Sequence, residues 1–195
     1  MNGDKDRTRV LGIVGSPRRG GNTEILVDEV LSGAAEGGAV VEKIILTELA
    51  IAPCQGCDAC YEIGDCVQQD DMQVLFEKMQ HSQVWVLGTP IYYYGPTAQF
   101  KTFLDRWYGA HHGGIVSFKG KRAILAIPLE DTKQTSARHT TGMFQGALDW
   151  LKMELFATVV APGAHKPGDV RNYPDVLDSA RVAGKKVIET MESSK

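Results

Sequence analysis

The amino-acid sequence predicts an α/β fold, a doubly wound five-stranded parallel sheet with helices on both faces. Short apolar runs rich in β-branched residues alternate with longer stretches of helical period, which is the pattern of successive βα units. The 195 residues, 43% hydrophobic and 23% charged, suffice for one globular domain with a full core. No internal repeat or low-complexity linker divides them, so 1–195 is expected to be a single domain.

Strands are expected at 9–14, 40–46, 84–87, 123–127 and 158–161, brief stretches that are mostly apolar. Helices are expected between and after them, at 23–35, 71–81, 97–108, 140–155 and 173–192. The first is amphipathic and follows a glycine-rich turn. The fourth carries Phe144, Leu148, Leu151 and Leu155 at three- and four-residue spacing, so one face should pack on the sheet. Crossover helices between parallel strands follow from this order.

Charge and hydropathy exclude several classes of function. A net charge of -3 and a pI near 6.0 give no electrostatic reason to expect nucleic acid or an anionic membrane as partner. The opening MNGDKDRTRV is polar, and no apolar run approaches the ~20 residues that cross a bilayer. The expected location is the cytoplasm.

The stretch VLGIVGSPRRGGNTEILVDEVL runs from the first strand through a turn directly into a helix. That geometry makes an anion site, because the first N–H groups of a helix and the positive end of its dipole face outward. Gly20 and Gly21 let the backbone wrap closely, Ser16 and Thr23 offer hydroxyls, Asn22 can donate or cap, and Arg18 can supply a guanidinium. Neither the Gly-Lys-Ser/Thr ending of a P-loop nor a Gly-x-Gly-x-x-Gly is present. A solvated arginine pair on an ordinary capped loop is the plainer alternative.

After the third strand, GTPIYYYGPTAQFKTFLDRW presents flat aromatic surface and kinked backbone at the same sheet edge. With strand order 2-1-3-4-5 the two loops lie side by side, at the switch point where such sheets bind ligands. A phosphate loop and a planar-ring loop together fit flavin mononucleotide better than any other common cofactor. Ordinary packing is the alternative for Tyr92, Tyr93 and Tyr94. His111 and His112, in YGAHHGGIV, read as solvated loop histidines rather than ligands, and His139 and His165 likewise.

All four cysteines, Cys54, Cys57, Cys60 and Cys66, fall in PCQGCDACYEIGDC, a loop at 53–67 with the spacing C-x2-C-x2-C-x5-C. In a reducing compartment such thiols are more often metal-binding or redox-active than disulfide-bonded. Gly56, Gly64 and Pro53 favour an irregular loop whose side chains turn inward on a compact centre.

On GSPRRGGNT and TPIYYYGPTAQFKTFLDR, the chain resembles the flavodoxin-like NADPH-dependent FMN reductases over roughly its whole length. The five strands with crossover helices suit a doubly wound sheet of this type or a small Rossmann-like one, and the resemblance implies the flavodoxin-like order 2-1-3-4-5. It further implies that Ser16, Arg18, Asn22 and Thr23 bind the FMN phosphate, and that Pro90, Ile91, Tyr92, Tyr93, Tyr94 and Gly95 lie along the isoalloxazine ring. Lys101, Asp105 and Arg106 match the family's helix and are expected to be structural or interface residues. Within that family the cysteine segment resembles the motif with which iron-sulfur flavoproteins hold a [4Fe-4S] cluster, which makes the four cysteines its ligands. Thiols without metal, and zinc on the same four sulfurs, stay open.

The function these readings imply is an FMN-dependent oxidoreductase of electron-transfer type. NAD(P)H or a ferredoxin would deliver electrons to the flavin, and a [4Fe-4S] cluster would exchange them singly; no acid, base or nucleophile is nominated. A homo-oligomer is expected, with the cluster reaching the flavin across a subunit boundary. Two rivals remain, a cluster-free NAD(P)H-dependent FMN or quinone reductase and a non-enzymatic flavin- or zinc-binding redox sensor.

Overall fold

The computed structural model describes residues 7–193, so most of the polar opening lies outside the described residues. Strands β1 (Arg9–Val14), β2 (Val40–Ile45), β3 (Val84–Gly88), β4 (Arg122–Leu129) and β5 (Glu154–Pro162) form one sheet. Its order is β2-β1-β3-β4-β5 and every pairing is parallel. Within the register, Val10 stands opposite Val41 on one side and Val84 on the other.

Side-chain alternation along these strands feeds two cores. Leu11, Ile13, Trp85 and Leu125 enter one, whereas Val10, Val14, Val86 and Ile124 enter the other. The second core is closed by α1 (Asn22–Glu36) and α7 (Pro174–Glu192). The first is closed by α3 (Met72–His81), α4 (Ala98–Asp105), α5 (Trp107–His112) and α6 (Arg138–Trp150), while the one-turn α2 (Cys60–Ile63) lies among the cysteines.

Helices α1 and α7 meet through glycine. A Cβ on Gly33 would stand 1.9 Å from the Arg181 carbonyl oxygen, and one on Gly184 would stand 1.9 Å from that of Val30. The backbones touch, and each contact is possible only without a side chain. Arg181 then ties α7 to Glu29 at 2.7 Å and Glu36 at 2.6 Å on α1.

Three expected elements differ from those observed. The helix expected over 140–155 ends at Trp150, and Leu155 lies in β5. Lys152 takes φ 60 there and reverses the chain, so the apolar spacing of Leu148, Leu151 and Leu155 spans a helix and a strand. The helix expected over 97–108 is interrupted at Arg106, whose side chain turns inward to Asp70. His111 and His112 belong to α5 rather than to a loop, since the glycines that end it are Gly113 and Gly114 while Gly109 lies inside it.

In the first turn of α1, Glu24 accepts from Gly20 N–H at 2.7 Å and from Lys43 on β2 at 2.9 Å. Burial works against its charge, but the Lys43 and Gly20 hydrogen bonds and the fields of Lys43 and Arg19 outweigh it and hold the carboxyl below its ordinary range. A lowered folded-state pKa contributes stability above the unfolded value, and that stability is lost as pH falls through the folded one. Glu24→Gln should therefore flatten the acid limb of stability below about pH 5, measured by urea unfolding across a pH series. An unaltered slope would remove the ion pair from the account.

Gly33→Ala should destabilise the protein by about 1–3 kcal/mol in chemical unfolding, because overpacking against the Arg181 backbone outweighs the roughly 1 kcal/mol helix preference for alanine. Neutrality would mean that the two helices can separate freely.

Candidate functional site

The strand order reverses between β1 and β3, so the loops leaving these two strands open side by side at the carboxyl edge. Hydrogen bonds lock them together. Gly15 N–H donates to Gly88 O at 2.8 Å, and the buried Thr97 hydroxyl donates to Gly15 O at 2.6 Å. The same hydroxyl accepts from Phe100 N–H at 3.2 Å and so caps α4. Thr89 Oγ1 completes the seam by accepting from Thr97 N–H at 3.1 Å.

Between the loops lies an open cavity of about 150 Å³. Ser16, Arg18, Asn22 and Thr23 line one side and Pro90, Ile91 and Tyr92 the other, which brings seven of the ten expected flavin-site residues together. Gly21 begins α1, and no side chain caps that helix. Its first-turn N–H groups and the positive end of its dipole are thus left for a ligand. Arg18 stands at the rim, where its Nη1 donates to His165 O at 3.0 Å, and Ser16 Oγ accepts from Arg18 N–H at 3.2 Å.

Asn22 has another task than the one expected of its side chain. Its Nδ2 donates to Ala164 O at 3.1 Å and Lys166 O at 2.9 Å, and its Oδ1 accepts from Val170 N–H at 3.2 Å. Both amide hydrogens are used. The side chain therefore buckles the loop after β1 to the loop after β5, and only its backbone N–H faces the role of anion donor.

The three tyrosines also separate. Tyr92 and Gly95 exchange two backbone hydrogen bonds, at 2.9 and 3.0 Å, and close a two-residue hairpin turn. Tyr93 and Tyr94 form its tip at φ 47 and φ 64, a left-handed pair for which Asn-Gly is the usual choice. Tyr93 is fully exposed, at 103%, and Tyr94 O accepts from the Thr140 hydroxyl at 3.0 Å. Tyr93, Tyr94 and Gly95 do not line the cavity; they shape the turn that presents Tyr92.

Two further loops reach the cavity that residue patterns did not single out. Pro128 and Leu129 end β4 and Glu130 follows it, and Ala164 and His165 follow β5. His165 Nδ1 stands 3.2 Å from Glu130, so it is a rim residue rather than a bystander. The signal available was positional, since all five residues leave strands at the same edge.

The cysteines lie elsewhere, in an excursion between β2 and α3 whose ends are pinned together. Ala50 N–H donates to Asp71 Oδ2 at 2.7 Å, and Asp71 N–H to Ala50 O at 3.2 Å. Gly56, Asp58 and Gly64 bend the segment with left-handed φ values of 61, 58 and 69. All four cysteines are free thiols lining one small cavity of about 20 Å³, with Cys60 buried, Cys54 and Cys66 half-buried and Cys57 exposed at the mouth. Among the described residues no three His, Cys, Asp or Glu side chains are drawn together as they would be around a single ion. The thiols surround a space rather than meet at a point.

Burial, together with the charges of Asp58, Cys57 and Cys66, pushes the Cys60 thiol up. One cation faces this wall. Arg106, 1% exposed, donates from Nη1 to Asp70 Oδ2 at 2.6 Å and Ala52 O at 2.9 Å, and from Nη2 to Cys66 Sγ at 3.5 Å. Burial works against its charge, but Asp70 and Cys66 more than offset that and hold it protonated. Of the two roles expected of it, structural or interface, these buried contacts are structural, and they are made with partners 36 to 54 positions away in sequence. Beyond it, Tyr108 O–H donates to Asp58 Oδ1 at 2.8 Å. Hydrogen bonds with Tyr61 and Asp58 push that phenol above its ordinary range.

Comparison with known proteins agrees with this architecture. Residues 8–137 match the family described as NADPH-dependent FMN reductase. An iron-sulfur flavoprotein of Methanocaldococcus jannaschii is 33% identical over 94% of this chain and 97% of its own length. Another from Archaeoglobus fulgidus is 26% identical over 96% and 97%. Among solved structures, an NAD(P)H:quinone oxidoreductase from Methanothermobacter marburgensis superposes with a TM-score of 0.75 at 19% identity, covering 93% of this chain and 96% of its own, which shows the flavodoxin-like fold. No helix among the described residues is long and apolar enough to cross a membrane. With its switch-point cavity, its sheet order and these matches, the chain belongs to the NADPH-dependent FMN reductase family, as a flavin-dependent oxidoreductase with iron-sulfur flavoproteins among its homologues.

Proposed function

We propose that this protein is an electron-transfer oxidoreductase that holds FMN in the switch-point cavity and a [4Fe-4S] cluster in the cysteine cavity. The observation that carries the flavin reading is the uncapped start of α1 facing an aromatic and apolar wall across one cavity. The chain's residues fit the cofactor. Arg18 and the first-turn N–H groups of α1 hold the phosphate, with the Ser16 and Thr23 hydroxyls beside them. Pro90, Ile91 and Tyr92 cover the ring and exclude water from it. Tyr92 is held against the cavity by the hairpin at Tyr93 and Tyr94, so the strain of those two φ values serves ring placement.

Fit is also favourable at the second cavity. The donor set is four thiols, the usual set for an iron-sulfur cluster, spread around an enclosed space. Gly109 forms part of that space, and a Cβ there would stand 3.9 Å from Cys66 Cβ and 4.0 Å from Cys60 Cβ, inside the cradle. Cys54, Cys57, Cys60 and Cys66 would hold the cluster, with Cys57 at the solvent side. When bound, FMN supplies a centre that takes an electron pair and releases it singly, and the cluster supplies a one-electron partner. The donor is NAD(P)H or a ferredoxin, and the assembly a homo-oligomer.

Arg18→Ala should weaken FMN binding by about ten- to a hundredfold, as the loss of a charge-assisted phosphate contact worth about 1.5–3 kcal/mol. Riboflavin, which lacks the phosphate, should bind more weakly than FMN to the unmodified protein by at least as much. Equal affinities in a fluorescence titration would take the α1 loop out of the site.

After anaerobic reconstitution, roughly four irons and four sulfides per chain are expected, with iron lost or depleted in each single Cys→Ser variant. A protein that retains FMN fully and binds no iron would leave a simple flavin reductase.

A further inference from the structure

We propose that Arg106 is the positioning and charge-setting residue of the cysteine cavity. This rests on the reading of that cavity as a cluster site. Arg106 sits at the break between α4 and α5, with its guanidinium on the cavity wall at 1% exposure. Its contacts fall on both sides of the thiol-bearing segment. Ala52 lies just ahead of Cys54, Cys66 is the last thiol, and Asp70 lies beyond it. One planar group thus clasps the entry and the exit of the segment.

The clasp is selective for arginine. Three acceptors in different directions are met by the two Nη atoms of one rigid fork, a geometry that the single ammonium of lysine cannot reproduce. Asp70 is itself fixed, since its Oδ2 also accepts from Ala52 N–H at 2.9 Å and its Oδ1 from Met72 N–H at 3.0 Å. The guanidinium is therefore aimed by a carboxylate that is anchored to the start of α3. Its Nε is buried and has no hydrogen-bond partner in the protein, so the Nη contacts alone hold the group.

The charge has a definite consequence. Thiolate ligands gather negative charge in the cavity, and a hydrogen bond or positive charge at a ligand sulfur favours the more reduced, more negative form of a cluster. Arg106 therefore raises the reduction potential, and Asp70, 2.6 Å from it, moderates that effect. The two residues should act with opposite sign.

The test uses the reconstituted full-length protein in four forms: unmodified, Arg106→Gln, Arg106→Lys and Asp70→Asn. Iron and sulfide per chain, FMN content, the thermal midpoint and the cluster potential from an EPR-monitored titration are read in each. Expected are a downward potential shift in Arg106→Gln, an upward shift in Asp70→Asn, and a smaller shift of either kind in Arg106→Lys. If Arg106→Gln loses its cluster while keeping FMN and its thermal midpoint, and Arg106→Lys keeps iron, the clasp is supported. If Arg106→Gln does not fold, the upward shift in Asp70→Asn carries the proposal. Shifts of the same sign in the Gln and Asn variants, or none with full iron, overturn the role of Arg106 and leave the cluster reading intact. An unmodified protein that takes up no iron overturns both.

Discussion

The position of β1 inside the sheet, between β2 and β3, is the constraint on which everything else depends. It pairs with β2 on one side and β3 on the other, so consecutive crossovers run in opposite directions from it. The chain then leaves a gap at its carboxyl end that no sheet hydrogen bond fills. Gly15, Thr97 and Thr89 close the floor of that gap with buried hydrogen bonds, and α1 starts at its edge. The site is a product of topology first and of residue choice second.

Residue choice then divides labour between the two sides. The polar side is built from backbone amides and Arg18, and it is kept cationic because Glu24 is turned away to Gly20 and Lys43. The apolar side is a rigid hairpin whose two tip residues occupy a conformation that costs energy. Such strain persists only when surrounding contacts fix it, and the Thr140 hydroxyl on Tyr94 O is one of them. Asn22, meanwhile, secures the loop after β5 and so completes the rim from the far side.

The sheet was legible in the sequence because its three inner strands, buried on both faces, are nearly continuous apolar runs, and all five strands stand within their expected neighbourhoods. The end of α6 was not, since Leu155 satisfies a helical spacing and a strand equally well, and only Lys152 at φ 60 decides between them. The anion loop was legible from residue types, yet Asn22 illustrates what types leave open. An amide in a glycine-rich turn serves a ligand or a neighbouring loop equally, and its partners sit more than 140 positions away. The same holds for Tyr93, whose residue type does not announce its place at the exposed tip of a turn. Arg106 was the least visible of all, because a charged helical residue normally faces water and nothing nearby in sequence announces Asp70.

The reciprocal bonds between Ala50 and Asp71 have a further consequence for how such a chain diversifies. They join the two ends of the cysteine excursion at its base, so the segment departs from the body and returns to nearly the same point. Its length and content are uncoupled from strand order, and a closed excursion of this kind can be lengthened, trimmed or refilled at little cost to the layers beneath it. The sheet and its switch-point cavity form a stable chassis to which the cysteine segment is attached as one appendage. Descendants of a common flavin-binding ancestor would then differ most in this connection and least at the carboxyl edge of β1.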